Sequence, residues 1–149
     1  MERFWSKVDK SGECWPWLAA KNRKGYGIFW HQKACRLAHN ISYEMARGPI
    51  PEGFELDHTC WGRACVRPSH MRLVAHGHNT QNRSGAARTS QSGMRGVYLH
   101  SSGRWQAQAG SKGRNHYLGL YSSANDANEA VIAWRRENMP YSLMDQKKD

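Results

Sequence analysis

Residues 57–70, DHTCWGRACVRPSH, combine one carboxylate, two histidines and two cysteines within fourteen positions. Four residues separate Cys60 from Cys65, and four more separate Cys65 from His70. Thiolate and imidazole groups are the ligands that tetrahedral Zn²⁺ takes in structural sites. The repeated spacing therefore predicts three ligands of one zinc ion; the alternative is a set of unrelated thiols and a surface histidine.

Zn²⁺ takes four ligands, and two cysteines remain as candidates for the fourth, Cys14 and Cys35. Cys14 lies in the loop SGECWPW, and a loop residue can turn toward a metal more easily than a strand residue. Cys35 falls inside a predicted strand, where we expect a small buried apolar residue. We favour Cys14, because it would join the N-terminus to the central segment of a module too small for a large core.

A second set of polar residues, Asp57, His58 and Asn79, is separate from the zinc ligands. Carboxylate and amide oxygens suit a hard cation such as Mg²⁺, which keeps several waters and binds phosphate. A neighbouring histidine can act as general base on an attacking water. Since Asn79 alone would also suit a helix cap, the prediction rests on the position of the set beside the zinc ligands.

Short elements are predicted to position these residues within the first 83 positions. A short helix is expected at ERFWSKV, a hairpin from GYGIFWH and KACRL, and a helix at AHNISYEMARG that ends at Gly48. PIPEGFELDH supplies a turn and a strand that delivers Asp57 and His58. HMRLVAHG is a further strand, and HNTQNR opens a short helix.

Residues 2–83 resemble the HNH nucleases of the ββα-metal (His-Me finger) superfamily, especially small phage and intron homing endonucleases. The matching stretches are CWPW, GYGIFW, AHNISYEMARGPIPEGFELDHTC, ACVRPSHMRLV and HNTQNR. The resemblance implies that His58 is the general base and that Asp57 and Asn79 hold one catalytic Mg²⁺ or Mn²⁺ ion. It also implies one structural Zn²⁺ ion per chain, held by Cys14, Cys60, Cys65 and His70.

Four further polar residues near this set have no role that the resemblance supplies. His76 and His78 flank the site, and we expect them to contact phosphate or solvent. Arg36 and His39 are candidates to approach the scissile phosphate, with ordinary surface polarity as the alternative. The sequence leaves these roles open.

The chain carries 22 Lys and Arg against 12 Asp and Glu, a formal net charge of +10. This surplus indicates a polyanionic partner, and the seven Trp and six Tyr among the basic groups favour nucleic acid. No apolar run approaches a membrane span, and the N-terminus lacks the apolar core of a signal peptide. We therefore expect a cytoplasmic protein without membrane contact or small-molecule substrate, whose cysteines bind metal or stay free thiols rather than form disulfides.

The composition changes after residue 83, and residues 84–91 are predicted to be a linker because they are small, polar and rich in breakers. Three strands are predicted in RGVYLHS, RWQAQAG and HYLGLYS, followed by a helix in SSANDANEAVIAWRREN with a Ser N-cap. The expected fold class is α+β. A zinc-stapled ββα-metal module over 1–83 precedes a three-stranded antiparallel sheet plus helix over 92–140, and 141–149 form a frayed tail.

Residues 92–138 resemble an AP2/ERF-type DNA-binding domain through SGMRGVYLHSSGRWQAQ, HYLGLYSSANDANEA and AVIAW. Such domains lay a three-stranded sheet in the major groove and support it with a helix. Strand alternation predicts an apolar face of Val97, Leu99, Trp105, Ala107, Ala109, Leu118 and Leu120. The opposite face is expected to contact DNA unless it is merely solvated, with Arg95 beside it; its residues are Tyr98, His100, Arg104, Gln106, Gln108, Asn115 and Tyr117.

Two functions of different classes share these basic residues. The first is a metal-dependent endonuclease that hydrolyses phosphodiester bonds in double-stranded DNA, with the C-terminal module aiding site recognition. The second is a non-catalytic DNA-binding regulator that uses zinc only for structure; the intact Asp57, His58 and Asn79 set favours the enzyme. RNA binding would need aromatics arranged to stack on single strands, whereas the predicted ribbon suits a duplex.

One active-site set per chain favours a monomer that nicks DNA, and the resemblance implies a phage-encoded protein in a bacterial host.

Overall fold

The computed structural model describes residues 1–76, 78–111 and 113–146, and the chain divides into two compact units, Met1–Asn79 and Thr80–Asp149. The change in composition predicts this boundary after residue 83. The predicted linker, 84–91, contains neither helix nor strand and lies inside the second unit. None of the described helices combines the length and apolar character needed to cross a bilayer.

Among its described residues, the first unit contains two α-helices and two antiparallel strand pairs, close to the predicted elements. In chain order they are α1 (Glu2–Trp5), β1 (Ile28–His31), β2 (Ala34–Leu37), α2 (Ala38–Arg47), β3 (Phe54–His58) and β4 (Met71–Ala75). Strand β1 pairs with β2, and β3 pairs with β4. Helix α2 ends where predicted, at Gly48, whose φ of +87° favours glycine. The helix expected at HNTQNR is only a single 3₁₀ turn, Asn79–Gln81.

Aromatic rings fill the core of the first unit. The ring centroids of Phe4, Trp17 and Phe29 lie 5.0 to 5.6 Å from one another, and Ile41 of α2 packs against them. Gly27 is required at this point because a Cβ there would lie 2.6 Å from the Trp17 ring. Helix α2 and the β1–β2 hairpin are thereby held against the N-terminal segment.

Cys35 is exposed, so the prediction that it is a buried apolar residue was wrong. It pairs with Trp30 across the β1–β2 hairpin, and Trp30 is 62% exposed. A two-stranded hairpin buries one face, and this hairpin buries the face that carries Phe29. Cys35 lies on the other face and is therefore open to solvent.

The second unit contains the predicted three-stranded antiparallel sheet and helix. Strands β5 (Val97–Leu99), β6 (Trp105–Ser111) and β7 (Arg114–Tyr121) pair in that order, and α3 (Ala124–Asn138) packs on the sheet. Ser123 caps α3 as predicted, because its side chain accepts the Asp126 N–H at 3.1 Å. The buried core consists of Val97, Ala107, Ala127 and Val131.

A β-bulge in the β6–β7 pair corrects the predicted division of the sheet faces. Ala107 pairs with Gly119 but Gln108 pairs with Tyr117, so Leu118 is an extra residue in β7. Beyond the bulge the alternation is reversed, and Leu120 pairs with Gln106 on the polar face. Tyr121 instead packs against the core. Leu99, predicted to be in the apolar core, is 52% exposed at the end of β5.

The segment predicted to be a frayed tail is docked over residues 142–146. Ser142 and Asp145 are 0% and 2% exposed, and residues Leu143–Asp145 form a 3₁₀ turn. Arg135 of α3 donates to Asp145 Oδ1 at 2.8 Å, and the Ser142 hydroxyl donates to the other carboxylate oxygen. A buried ion pair with hydrogen bonds holds this segment, while 147–149 lie outside the described residues.

Replacement of Asp145 by Ala is expected to destabilise the second unit by about 3–5 kcal/mol, because it leaves the buried Arg135 guanidinium without its counter-charge. Urea denaturation of the full chain measures this loss. Glu129→Ala is the matched control, since Glu129 is an exposed acidic residue of α3, and it should change the free energy of unfolding by less than about 0.5 kcal/mol. Equal midpoints for both variants would contradict the stabilising role of Asp145.

Candidate metal centre and active site

Four side chains from two distant segments form a candidate metal centre: Cys14, Cys60, Cys65 and His70. Their ligand atoms all lie within 4.8 Å of one another. The Nδ1 atom of His70 lies 3.6 Å from the Cys14 sulfur and 3.7 Å from the Cys65 sulfur. Sulfur and nitrogen ligands of a tetrahedral Zn²⁺ ion are separated by roughly 3.5 Å, given their usual bond lengths. Both the donor set and its spacing therefore fit zinc.

Backbone pairing brings Cys14 to this centre, as the sequence analysis favoured. The Trp17 N–H donates to the Ala64 carbonyl, and the Val66 N–H donates to the Trp15 carbonyl, both at 2.8 Å. Pro16 and Cys65 form an isolated antiparallel bridge between the same two segments. The loop that carries Cys14 is thus aligned with the loop that carries the other ligands.

Two thiols of the centre, Cys14 and Cys60, are in surroundings that disfavour an isolated negative charge. Burial raises the pKa of Cys60 to about 12, and burial also raises the pKa of Cys14. A thiolate withdrawn from water is unfavourable unless a cation compensates its charge. A metal ion supplies that compensation and would hold the cysteines as thiolates.

The metal-centre loop orients His58, the candidate general base. His58 is the last residue of β3 and is 7% exposed. Its Nε2–H donates to the backbone carbonyl of Cys65 at 2.9 Å, which sets the neutral tautomer with its lone pair on Nδ1. Burial lowers the pKa of His58, against opposing effects of that hydrogen bond and of Asp57, so the ring is neutral near pH 7.

A second buried histidine lies against His58. The ring of His39, on the first turn of α2, is 4.8 Å from the His58 ring in an edge-on arrangement, and Tyr26 lies 5.4 Å from His39. Burial, and secondarily His58, lowers the pKa of His39 to about 3. His39 is therefore a neutral, buried neighbour of His58 and is not an exposed surface group.

Asp57 has a cationic partner that the sequence analysis missed. Asp57 is 3% exposed and lies opposite Arg72 in the β3–β4 register. The Nε and Nη2 atoms of Arg72 lie 2.9 and 2.8 Å from Asp57 Oδ2. This contact depends on the register in which β3 and β4 pair. Residue spacing does not reveal that register, because a long loop separates the two strands.

The remaining candidates occupy different surroundings. Asn79 begins its 3₁₀ turn and is half-buried, and His78 is also half-buried. The His76 side chain is 88% exposed and lies 3.9 Å from Glu55. Arg36 donates to both carboxylate oxygens of Glu44, at 2.6 and 2.8 Å, so its guanidinium has a partner within the unit.

The open face of the second unit's sheet carries the central predicted DNA contacts. Tyr98 pairs with Gln106, and Tyr117 pairs with Gln108. The two tyrosines are 56% and 63% exposed. Gln106 Nε2 donates to Gln108 Oε1 at 3.2 Å, so the two amides are aligned side by side between exposed rings.

The other predicted contacts lie at the ends of the strands or away from the sheet. Arg104 and Asn115 are exposed, and His100 is held in the β5–β6 turn by the Ser102 hydroxyl at 2.8 Å. Arg95, predicted to lie beside the DNA-contacting face, donates from its guanidinium to the Gln81 carbonyl at 3.0 Å. Burial lowers its pKa to about 10. Its contacts give Arg95 a structural role within the second unit.

One comparison with known protein families matches the segment that contains Asp57, His58 and Asn79. Residues 36–81 match a protein family described as HNH endonuclease. Protein 2.8 of Escherichia phage T7 is 34% identical over 68 residues, which are 45% of this chain and 45% of that protein. The "Uncharacterized gene 5.3 protein" of Enterobacteria phage T3 is 39% identical over 38 residues, 26% of this chain and 38% of that protein. The chain spans less than half the length of these two relatives, and no solved structure gives a significant match.

Proposed function

We propose that this protein is a metal-dependent DNA endonuclease of the homing type, which hydrolyses phosphodiester bonds in double-stranded DNA. The observation that carries the proposal is the buried His58, held by the Cys65 carbonyl directly beside Asp57. These residues lie inside the segment that matches HNH endonucleases. A purely structural zinc module would have no need of a neutral imidazole oriented in this way.

In this proposal His58 accepts the proton of the attacking water at Nδ1, while its Nε2–H stays on the Cys65 carbonyl. Asp57 and Asn79 supply one carboxylate and one amide oxygen, a donor set that fits Mg²⁺ or Mn²⁺. When bound there, the ion supplies positive charge for the scissile phosphate. The cluster of Cys14, Cys60, Cys65 and His70 holds a structural Zn²⁺ ion, which keeps the Cys65 carbonyl in place.

We further propose that the second unit is AP2-like and provides much of the site recognition. Its open sheet face offers paired amides between two exposed tyrosines, which suits hydrogen bonds to base edges and apolar contact in a groove. The net charge of +10 supports a polyanionic partner. The phage relatives support a phage-encoded protein, and we propose that it acts on DNA as a monomer inside a bacterial host.

Incubation with supercoiled plasmid, with and without Mg²⁺, tests the proposal. Nicked circular product that requires the divalent ion is expected, because a monomer with one active-site set cuts one strand at a time. The zinc must stay bound during the assay, so EDTA is replaced by simple omission of Mg²⁺. Retarded plasmid that is never nicked, with either Mg²⁺ or Mn²⁺, would instead support a zinc-stabilised DNA-binding regulator.

Replacement of Gln108 by Ala is expected to relax base preference at one position of the recognition site. The loss should be about 1–3 kcal/mol of discrimination if the amide contacts a base through two hydrogen bonds. Mapping of nicks on a library of target variants measures it. Gln91→Ala, at an exposed residue outside the sheet, should leave the preference unchanged; identical maps for both variants would remove Gln108 from base recognition.

A further inference from the structure

The donors proposed for the catalytic ion include a carboxylate that already has a cationic partner. Oδ2 of Asp57 receives both Nε and Nη2 of Arg72, at 2.9 and 2.8 Å. The Asp57 side chain is 4% exposed, whereas that of Arg72 is 26% exposed. The pair is therefore shielded from water on the aspartate side, where screening by solvent is weakest.

The charges of these groups cancel. Asp57 contributes one negative charge and Arg72 one positive charge, and the Asn79 amide carries no charge. A divalent cation that approached Asp57 would meet a compensated carboxylate and the repulsion of a guanidinium a few ångströms away. Mg²⁺ sheds its waters reluctantly and is usually bound by one or two carboxylates together with substrate phosphates, so the protein donors alone make a poor site.

We propose that Arg72 is a positioning residue that couples metal binding to DNA binding. By compensating the charge of Asp57, Arg72 keeps the affinity for the catalytic divalent ion low until the scissile phosphate adds negative charge to the site. This inference rests on the proposed function, because it takes Asp57 as a ligand of that ion. By linkage, the ion then raises the affinity for DNA by the same factor by which DNA raises the affinity for the ion.

The geometry of the hairpin supports a fixed role for Arg72. Arg72 and Asp57 are direct partners in the β3–β4 register. The pairs Leu56–Leu73 and His58–Met71 flank them on the two sides. Two donors of one planar guanidinium converge on a single oxygen. This contact limits the rotation of the carboxylate and also compensates its charge. A lysine could retain the charge at this place but could not reproduce the two-donor contact.

Mn²⁺ binding to the zinc-loaded full chain tests the coupling, with His58→Ala as background so that DNA is not consumed. Free Mn²⁺ is measured by electron paramagnetic resonance, with and without a duplex that the His58 protein nicks. We expect weak binding without DNA and binding at least about tenfold tighter with it. Arg72→Gln removes the charge and should tighten DNA-free binding by about tenfold or more. Arg72→Lys keeps the charge, so its DNA-free binding should stay as weak as that of the Arg72 protein.

Two outcomes would overturn the role of Arg72. One is equal Mn²⁺ affinity with and without DNA in the protein that retains Arg72. This measurement does not depend on whether an Arg72 variant folds. The other is a folded Arg72→Gln protein, with an unchanged melting temperature, that binds Mn²⁺ no more tightly than Arg72→Lys. The proposed function fails separately: a chain with intact His58 that never nicks DNA would overturn it, whereas nicking with uncoupled Mn²⁺ binding overturns only the inference on Arg72.

Discussion

The variant His58→Ala is expected to lose divalent-ion-dependent nicking, with a rate lower by about 10²–10⁴-fold, the usual contribution of a general base. Alanine removes the only group proposed to accept the proton of the attacking water. The backbone of β3 remains, and with it the hydrogen bonds of the β3–β4 hairpin. Time courses of plasmid nicking at saturating protein measure the chemical step apart from binding.

The fold and DNA affinity of His58→Ala should remain close to those of the parent protein. His31→Ala is the matched control, because His31 is a histidine on β1 that stacks on Phe29 outside the candidate site. It should nick at the parent rate. Retention of full nicking by His58→Ala would exclude His58 as the base, and loss of its zinc or of its melting transition would show that the residue is structural.

Replacement of Cys60 by Ser is expected to unfold the first unit, because the metal contributes its binding free energy directly to folding. In zinc-finger peptides this contribution is roughly 10–16 kcal/mol, more than the total stability of most small domains. Metal analysis should find about one zinc per parent chain and none in the variant. Thermal denaturation followed by circular dichroism should show that the transition of the first unit is lost.

Cys35→Ser provides the matched control for the same substitution. Cys35 is exposed on β2 and does not belong to the four-residue metal cluster. Its replacement should change neither the zinc content nor the melting temperature. A Cys60→Ser protein that keeps its zinc, or a zinc-free parent that melts normally, would contradict a structural metal at this centre.

The metal centre was predictable because residue type and local spacing are enough to identify zinc ligands. Cys60, Cys65 and His70 lie within one short segment, and few other roles need thiol and imidazole groups at equal intervals. Cys14 was favoured over Cys35 because Cys14 lies in a predicted loop and Cys35 in a predicted strand. In both instances a property of the local chain was sufficient, and the structure brings the predicted four residues together.

Contacts that depend on long-range register were not predictable in this way. Arg72 reaches Asp57 only because β3 and β4 pair in one register across the intervening loop. The bulge at Leu118 reverses the alternation of β7 and places Leu120 on the polar face, although a regular strand would bury it. In the tail, the buried positions Ser142 and Asp145 are polar, so hydrophobic patterning did not mark them; a buried ion pair of Asp145 with Arg135 holds this segment.

The order of residues along the chain has a consequence for folding during translation. All four ligands of the metal centre, together with His58, lie within the first 70 residues. The second unit is completed only when Asp145 reaches Arg135. At ordinary elongation rates the ribosome needs seconds to make the intervening residues. We therefore expect the nascent chain to take up zinc and fold its first unit while the second is still being made, so that the proposed nuclease module is formed before the proposed recognition module.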